Sequence, residues 1–84
     1  MTKQQIIENA ILTSRCVMFD YVSKDRSISY NRIARPKSIQ EVGKAKSLKM
    51  YAKDKNKELV RCFDLEGVMN PRVVLCPVEL KGDL

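Results

Sequence analysis

The chain has no histidine. The side chain best suited to proton transfer near neutral pH is therefore missing, and with it any Ser-His or Cys-His pair. A structural zinc site would then need four cysteines, or carboxylates in their place. Only Cys16, Cys62 and Cys76 are present, odd in number, far apart and without a Cys-x-x-Cys spacing. That usage argues against a disulfide framework and for a reducing cytoplasm, with the cysteines serving as small core hydrophobes. No glycine-rich phosphate loop occurs, and Asp20, Asp25 and Asp64 do not have the spacing of a metal-binding set. The expectation is a protein that is not an enzyme and uses no cofactor and no metal. Long apolar runs are missing too: none approaches the roughly 20 residues that span a bilayer. Met1-Thr2-Lys3-Gln4-Gln5 opens an amphipathic segment rather than a signal peptide, so no membrane partner is expected.

What is present fits one small domain over residues 1–84. A hydrophobic share of 44% is too high for a disordered tail. The net charge of +6 is unevenly placed. Residues 44–57 carry six lysines against Asp54 alone, and residues 21–35 carry Lys24, Arg26, Arg32 and Arg35 against Asp25, whereas residues 58–84 are slightly acidic. A basic middle attracts polyanions such as nucleic acid, nucleotides or an acidic protein surface.

Thr2 and Gln5 form a capping-box pattern, and Ile6, Ile7, Ala10 and Ile11 make an apolar stripe, which predicts a helix over residues 2–14 packed on a sheet. Residues 16–22 are rich in strand formers, residues 23–27 read as a turn, and residues 28–35 as the returning strand. Pro36 calls for a bend or an edge, after which residues 38–42 continue the strand to a turn at Gly43. Residues 47–53 alternate cleanly: Leu48, Met50 and Ala52 on one face, Lys49, Tyr51 and Lys53 on the other. Residues 54–57 read as a hairpin turn, 58–63 as its second strand, 64–67 as a helical turn or loop, and 68–80 as a last strand interrupted by Pro71 and Pro77. One helix and about five short strands predict a mainly β domain with a small, strongly bent sheet or barrel.

Three runs in this order carry a family resemblance: Ala10-Ile11 leading to Phe19-Asp20-Tyr21, then Arg32-Ile33-Ala34-Arg35-Pro36, then Arg61-Cys62-Phe63-Asp64-Leu65. Together they resemble the WYL domain, a ligand-sensing module of bacterial and phage regulators, over roughly residues 6–69. The resemblance implies a small Sm-like or SH3-like five-stranded β-barrel preceded by a helix. It also implies binding of single-stranded nucleic acid or a nucleotide-like anion in the control of transcription. Tyr21, Arg32, Arg61 and Phe63 match residues that the family uses for its ligand. Two features depart from the pattern. The naming tripeptide falls near Leu48-Lys49-Met50, and Gly67 stands where the family has a further arginine. The helix-turn-helix that usually precedes this domain is not in the chain.

Arginine suits such a role because its planar fork of donors matches a phosphate. The competing reading for Arg32 and Arg61 is a salt bridge to Asp20, Asp64 or Glu66. Tyr21 could stack on a base or serve at the core's edge. Lysines beside an aromatic, as in Lys49, Tyr51 and Lys53, suit single-stranded nucleic acid, or else blunt an exposed edge strand. Two functions are therefore in view. One is a regulatory module that binds single-stranded nucleic acid or a nucleotide-like anion. The alternative is a phage or mobile-element module that docks on a host or partner regulatory protein, through its lysines or a free sheet edge. Free edges in so small a domain also make a homodimer an expectation.

Overall fold

The computed structural model describes residues 1–55 and 59–81. Helix α1 spans Lys3–Leu12. Its capping box is formed as the pattern predicts: Thr2 Oγ1 accepts the Gln5 amide at 3.1 Å, and Gln5 Oε1 accepts the Thr2 amide at 2.9 Å. Five strands follow: β1 (Cys16–Val22), β2 (Ile28–Val42), β3 (Ser47–Asp54), β4 (Val60–Asp64) and β5 (Val68–Val74). A 3₁₀ turn, Leu65–Gly67, joins β4 to β5, and a short helix α2 (Val78–Lys81) ends the described chain. The strands form one antiparallel sheet in the order β4-β3-β2-β1-β5. The domain is thus mainly β with an N-terminal helix. Among the described residues the sheet is open, because no ladder joins β4 to β5.

The sheet is nevertheless far from flat. Phe19 on β1 and Phe63 on β4 are three strand spacings apart, which a flat sheet would hold at about 14 Å. Their ring centroids lie at 5.3 Å, and those of Tyr21 and Phe63 at 5.1 Å. The sheet must therefore curl until β4 folds toward β1. Register shifts mark where it bends: Phe19/Tyr21 against β2, Met18/Asp20 against β5, and Pro36/Ser38 against β3. Strand β2 is long enough to serve both halves, pairing with β1 up to Ala34 and with β3 from Ala34 onward. Pro36 lies in the half that has a single ladder partner, at the register shift, where a missing amide donor is tolerated.

The inside of the curl holds the core. Ile7 and Ala10 of α1 pack on Val17, Phe19, Ala34, Met50, Ala52, Phe63 and Val68. On β3, Met50 and Ala52 are buried as their alternation predicts, while Lys49, Tyr51 and Lys53 are half-buried on the other face.

Two expectations need correction. Asp54 is not in the turn but closes β3, opposite Ala34, and is buried. It stays in the strand because its carboxylate pairs with Arg32 on the neighbouring strand. Lys55 lies in a turn, while Asn56 and Lys57 of the expected turn and Glu58 of the expected partner strand lie outside the described residues. The last strand stops at Val74 rather than reaching Leu80. Pro77 instead starts a helical turn, accepting the Leu80 amide at 2.9 Å, and Leu80 folds back into a buried position. Arg35, itself buried, donates to the Leu80 carbonyl at 3.0 Å. Pro71 is accommodated within β5, an edge strand. No helix among the described residues is long and apolar enough to cross a membrane.

Candidate functional site

The ladder register decides which side chains share the inside of the curl. Arg32 stands opposite Phe19, Asp54 opposite Ala34, Arg61 opposite Ala52 and Phe63 opposite Met50. Directly paired residues project to the same side of a sheet, so Arg32, Asp54, Arg61 and Phe63 all face the side that holds the core. Curling then gathers them. The Arg32 guanidinium carbon is 4.9 Å from the Phe63 ring centroid, and that of Arg61 is 5.9 Å from it, both within cation–π range. Tyr21 meets the same ring edge-on, and its hydroxyl accepts the Asp64 amide at 3.0 Å, tying β1 to β4. Tyr21, Arg32 and Arg61, drawn from three strands, thus surround the ring of Phe63.

Their exposures differ. Phe63 is 1% exposed and forms a floor. Tyr21 is half-buried with its hydroxyl engaged, whereas Arg61 is exposed. Arg32 is half-buried and ion-paired with Asp54. Neither Asp20, Asp64 nor Glu66 is that partner. Asp20 instead accepts the Asn31 amide at 2.9 Å, and Asp64 accepts Lys49 at 3.1 Å.

Beside Arg32 opens a groove of about 450 Å³, lined by Ser29, Tyr30, Asn31, Arg32, Ile33, Asp54 and Lys55. Local backbone geometry shapes it. Between the pairs Phe19–Arg32 and Tyr21–Ser29, β2 carries an extra residue, and Asn31 takes a left-handed φ of 54°. Asparagine tolerates that conformation, and Asp20 holds it by accepting the Asn31 amide. Tyr30, next to this irregularity, is 70% exposed. Arg72 of β5 donates to Asn31 Oδ1 at 3.2 Å and brings a further cation to the same edge. Sequence reasoning missed Tyr30, Asp54, Lys55 and Arg72 here. A clue existed for Tyr30, an aromatic two residues before Arg32 in a predicted strand, but none for Arg72, whose approach depends on β5 pairing with β1.

Lys49, Tyr51 and Lys53 lie on the opposite face of β3 from this cluster. The sheet itself separates them from the arginines. Lys49 is also engaged: the hydrogen bond it donates to the Asp64 carboxylate raises its pKa. Burial alone would raise the Asp64 carboxyl, but the Lys49 bond and the Glu66 amide outweigh it and leave its pKa lowered. The Tyr51 phenol is raised, chiefly by its hydrogen bond with Cys62 across the ladder.

Gly67, where the WYL resemblance calls for an arginine, is closely packed. A Cβ there would lie 2.3 Å from the Val22 carbonyl oxygen and 2.9 Å from Tyr21 Cε1. The site beneath Tyr21 has no room for any side chain, so an arginine at this position could not coexist with the observed Tyr21 packing. Among the described residues, no three His, Cys, Asp or Glu side chains gather into a possible metal-ion site.

The arrangement therefore presents a groove lined by the exposed Tyr30 and the cations Arg32 and Lys55, beside the Phe63 ring that Arg32 shares with the exposed Arg61. No protein-family model matches the chain, and no curated protein sequence matches it.

Proposed function

We propose that this protein is a WYL-like regulatory module that binds single-stranded nucleic acid or a nucleotide-like anion on the Arg32–Arg61 side of its sheet. The observation that carries the reading is the meeting of Arg32 and Arg61 over the Phe63 ring, beside the groove that holds Tyr30 and Lys55. A phosphate would take the exposed fork of Arg61 and the donors of Arg32 not given to Asp54. A base would stack on the exposed ring of Tyr30, with Lys55 and Arg72 following the backbone. Asp54 opposes nonspecific anions and holds Arg32 in place, so binding requires a ligand that offers stacking as well as charge. The strand order, the tight curl and the 3₁₀ turn between the edge strands fit a Sm-like or SH3-like barrel left open on one side.

The test is fluorescence anisotropy with a short labelled oligothymidylate at low salt. Binding should weaken steeply as salt rises, and Arg61→Ala should lower affinity about tenfold, the scale of one charge-assisted hydrogen bond. Equal binding by wild type and an Arg61→Ala, Tyr30→Ala double variant would remove the groove from the account.

A second reading has its own observation. Among the described residues β4 and β5 are the edges of the sheet, and Leu59 and Val60 at the start of β4 are exposed. A regulatory protein could dock there by adding a strand, and a second copy of this chain could do the same. Partner binding that persists after nuclease treatment and ignores Arg61→Ala would favour this reading.

A further inference from the structure

Cys16 begins β1 and pairs in register with Val74, the last residue of β5. Two residues beyond Val74 the chain turns back, and Cys76 comes to rest against Cys16, with the two sulfurs 2.8 Å apart. Residues that are 60 positions apart in the sequence are thus in sulfur–sulfur contact across the end of the sheet. Both are free thiols. They differ in access: Cys16 is fully buried, whereas Cys76 is half-exposed and also approaches the Ser14 carbonyl at 3.6 Å.

We propose that Cys16 and Cys76 are a dithiol modification site, which a peroxide converts to a reversible disulfide that fastens the C-terminal segment to β1. The half-exposed Cys76 meets the oxidant first. Its sulfur attacks the peroxide O–O bond and becomes a sulfenic acid, and one water leaves. The Cys16 sulfur then attacks the Cys76 sulfur and displaces hydroxide, which takes the Cys16 proton and leaves as a second water. Two thiols have lost two electrons and two protons, and the peroxide has been reduced to two waters. Burial, together with the Cys76 contact, pushes the Cys16 thiol up to about 12, so Cys16 alone is inert toward solvent oxidants. The buried Arg35 guanidinium acts in the opposite sense and favours the Cys16 thiolate as it forms.

The contact also sits where a bond would matter. Without it, the described part of the C-terminal segment is anchored chiefly by the buried Leu80, whose carbonyl accepts Arg35, and by an ion pair between Glu79 and Lys55 at 3.7 Å. Lys55 lines the groove, so a disulfide would steady one of the groove's cations through α2. The disulfide itself does not depend on the groove having a ligand.

The test uses the full chain carrying Cys62→Ser, which removes the exposed third thiol. After treatment with hydrogen peroxide, the intact mass should fall by two hydrogens. Both remaining cysteines should resist alkylation in denaturant, and Tm should rise by about 10 °C, with all three effects reversed by dithiothreitol. Cys76→Ala in the same background should lose every one of them. The proposal is overturned if peroxide adds oxygen to Cys76 while Cys16 stays open to alkylation, or if the Tm rise survives Cys76→Ala.

Discussion

Strand β3 and its partner β4 have two faces, and each carries positive charge in a different way. On the outer face, Lys49, Tyr51 and Lys53 stand in a row beside Asp64, and Lys49 shares its ammonium with that carboxylate. On the inner face, Arg32 and Arg61 are set over the Phe63 ring, and Arg32 is held by a buried carboxylate. The outer face holds more of the charge-dense sequence. The inner face holds the shape. Flexible lysines attract an anion without selecting it, while guanidinium groups fixed by an aromatic floor can discriminate by geometry. Under the proposed function, net charge along the sequence points to the less selective side of the sheet.

The largest expected effect breaks the inner face from within. Asp54→Ala leaves Arg32 half-buried without its carboxylate and should destabilise the fold by about 3 kcal/mol. Urea unfolding at neutral pH measures it. The matching change on the outer face, Asp64→Ala, should cost less than about 1 kcal/mol, because Lys49 remains partly hydrated. Equal losses in the two variants would erase the contrast between the faces. Next in size is Gly67→Ala. Its methyl group would press on the Val22 carbonyl and the Tyr21 ring, and a destabilisation of about 1–3 kcal/mol is expected in the same assay.

Binding sharpens the comparison further. Arg61→Ala should lower oligonucleotide affinity about tenfold at fixed salt. Lys53→Ala should leave affinity within about threefold and reduce the slope of log affinity against log salt by no more than about 0.7, the worth of one phosphate contact on a single strand. The smallest effect is one of pH. Asp64 has a folded pKa below its ordinary value, so its contribution is complete above that ordinary value and is lost as pH falls through the lowered one. Lys49 is then released, and a carboxyl-carbon NMR titration should place the Asp64 midpoint below that of a free aspartate.

Local patterns were readable in the sequence where neighbours along the chain cause them. The capping box at Thr2 and Gln5, the alternation of Leu48 to Lys53 and the helical turn after Asp64 depend on residues a few positions apart. Tyr21, Arg32, Arg61 and Phe63 are singled out in the sequence only by a resemblance, and the physical cause of their meeting is the curl of the sheet, which no short window contains. Asp54 was misread as a turn residue because its partner, Arg32, is 22 positions away. The end of β5 was misread because a buried leucine and a buried arginine, Leu80 and Arg35, decide where the chain turns back. Cys16 and Cys76 looked unrelated for the same reason. Their contact is made by the β1–β5 ladder, not by spacing.

Under the proposed function, selection lies on the inner face. The most direct test is an amide and side-chain NMR titration of the wild-type protein with a short oligothymidylate at low salt. Saturable shifts are expected at Tyr30, Asn31, Arg32 and Arg61, with only weak, salt-sensitive shifts at Lys49, Tyr51 and Lys53. Saturable shifts confined to Lys49, Tyr51 and Lys53, with the arginine side unchanged, would contradict it.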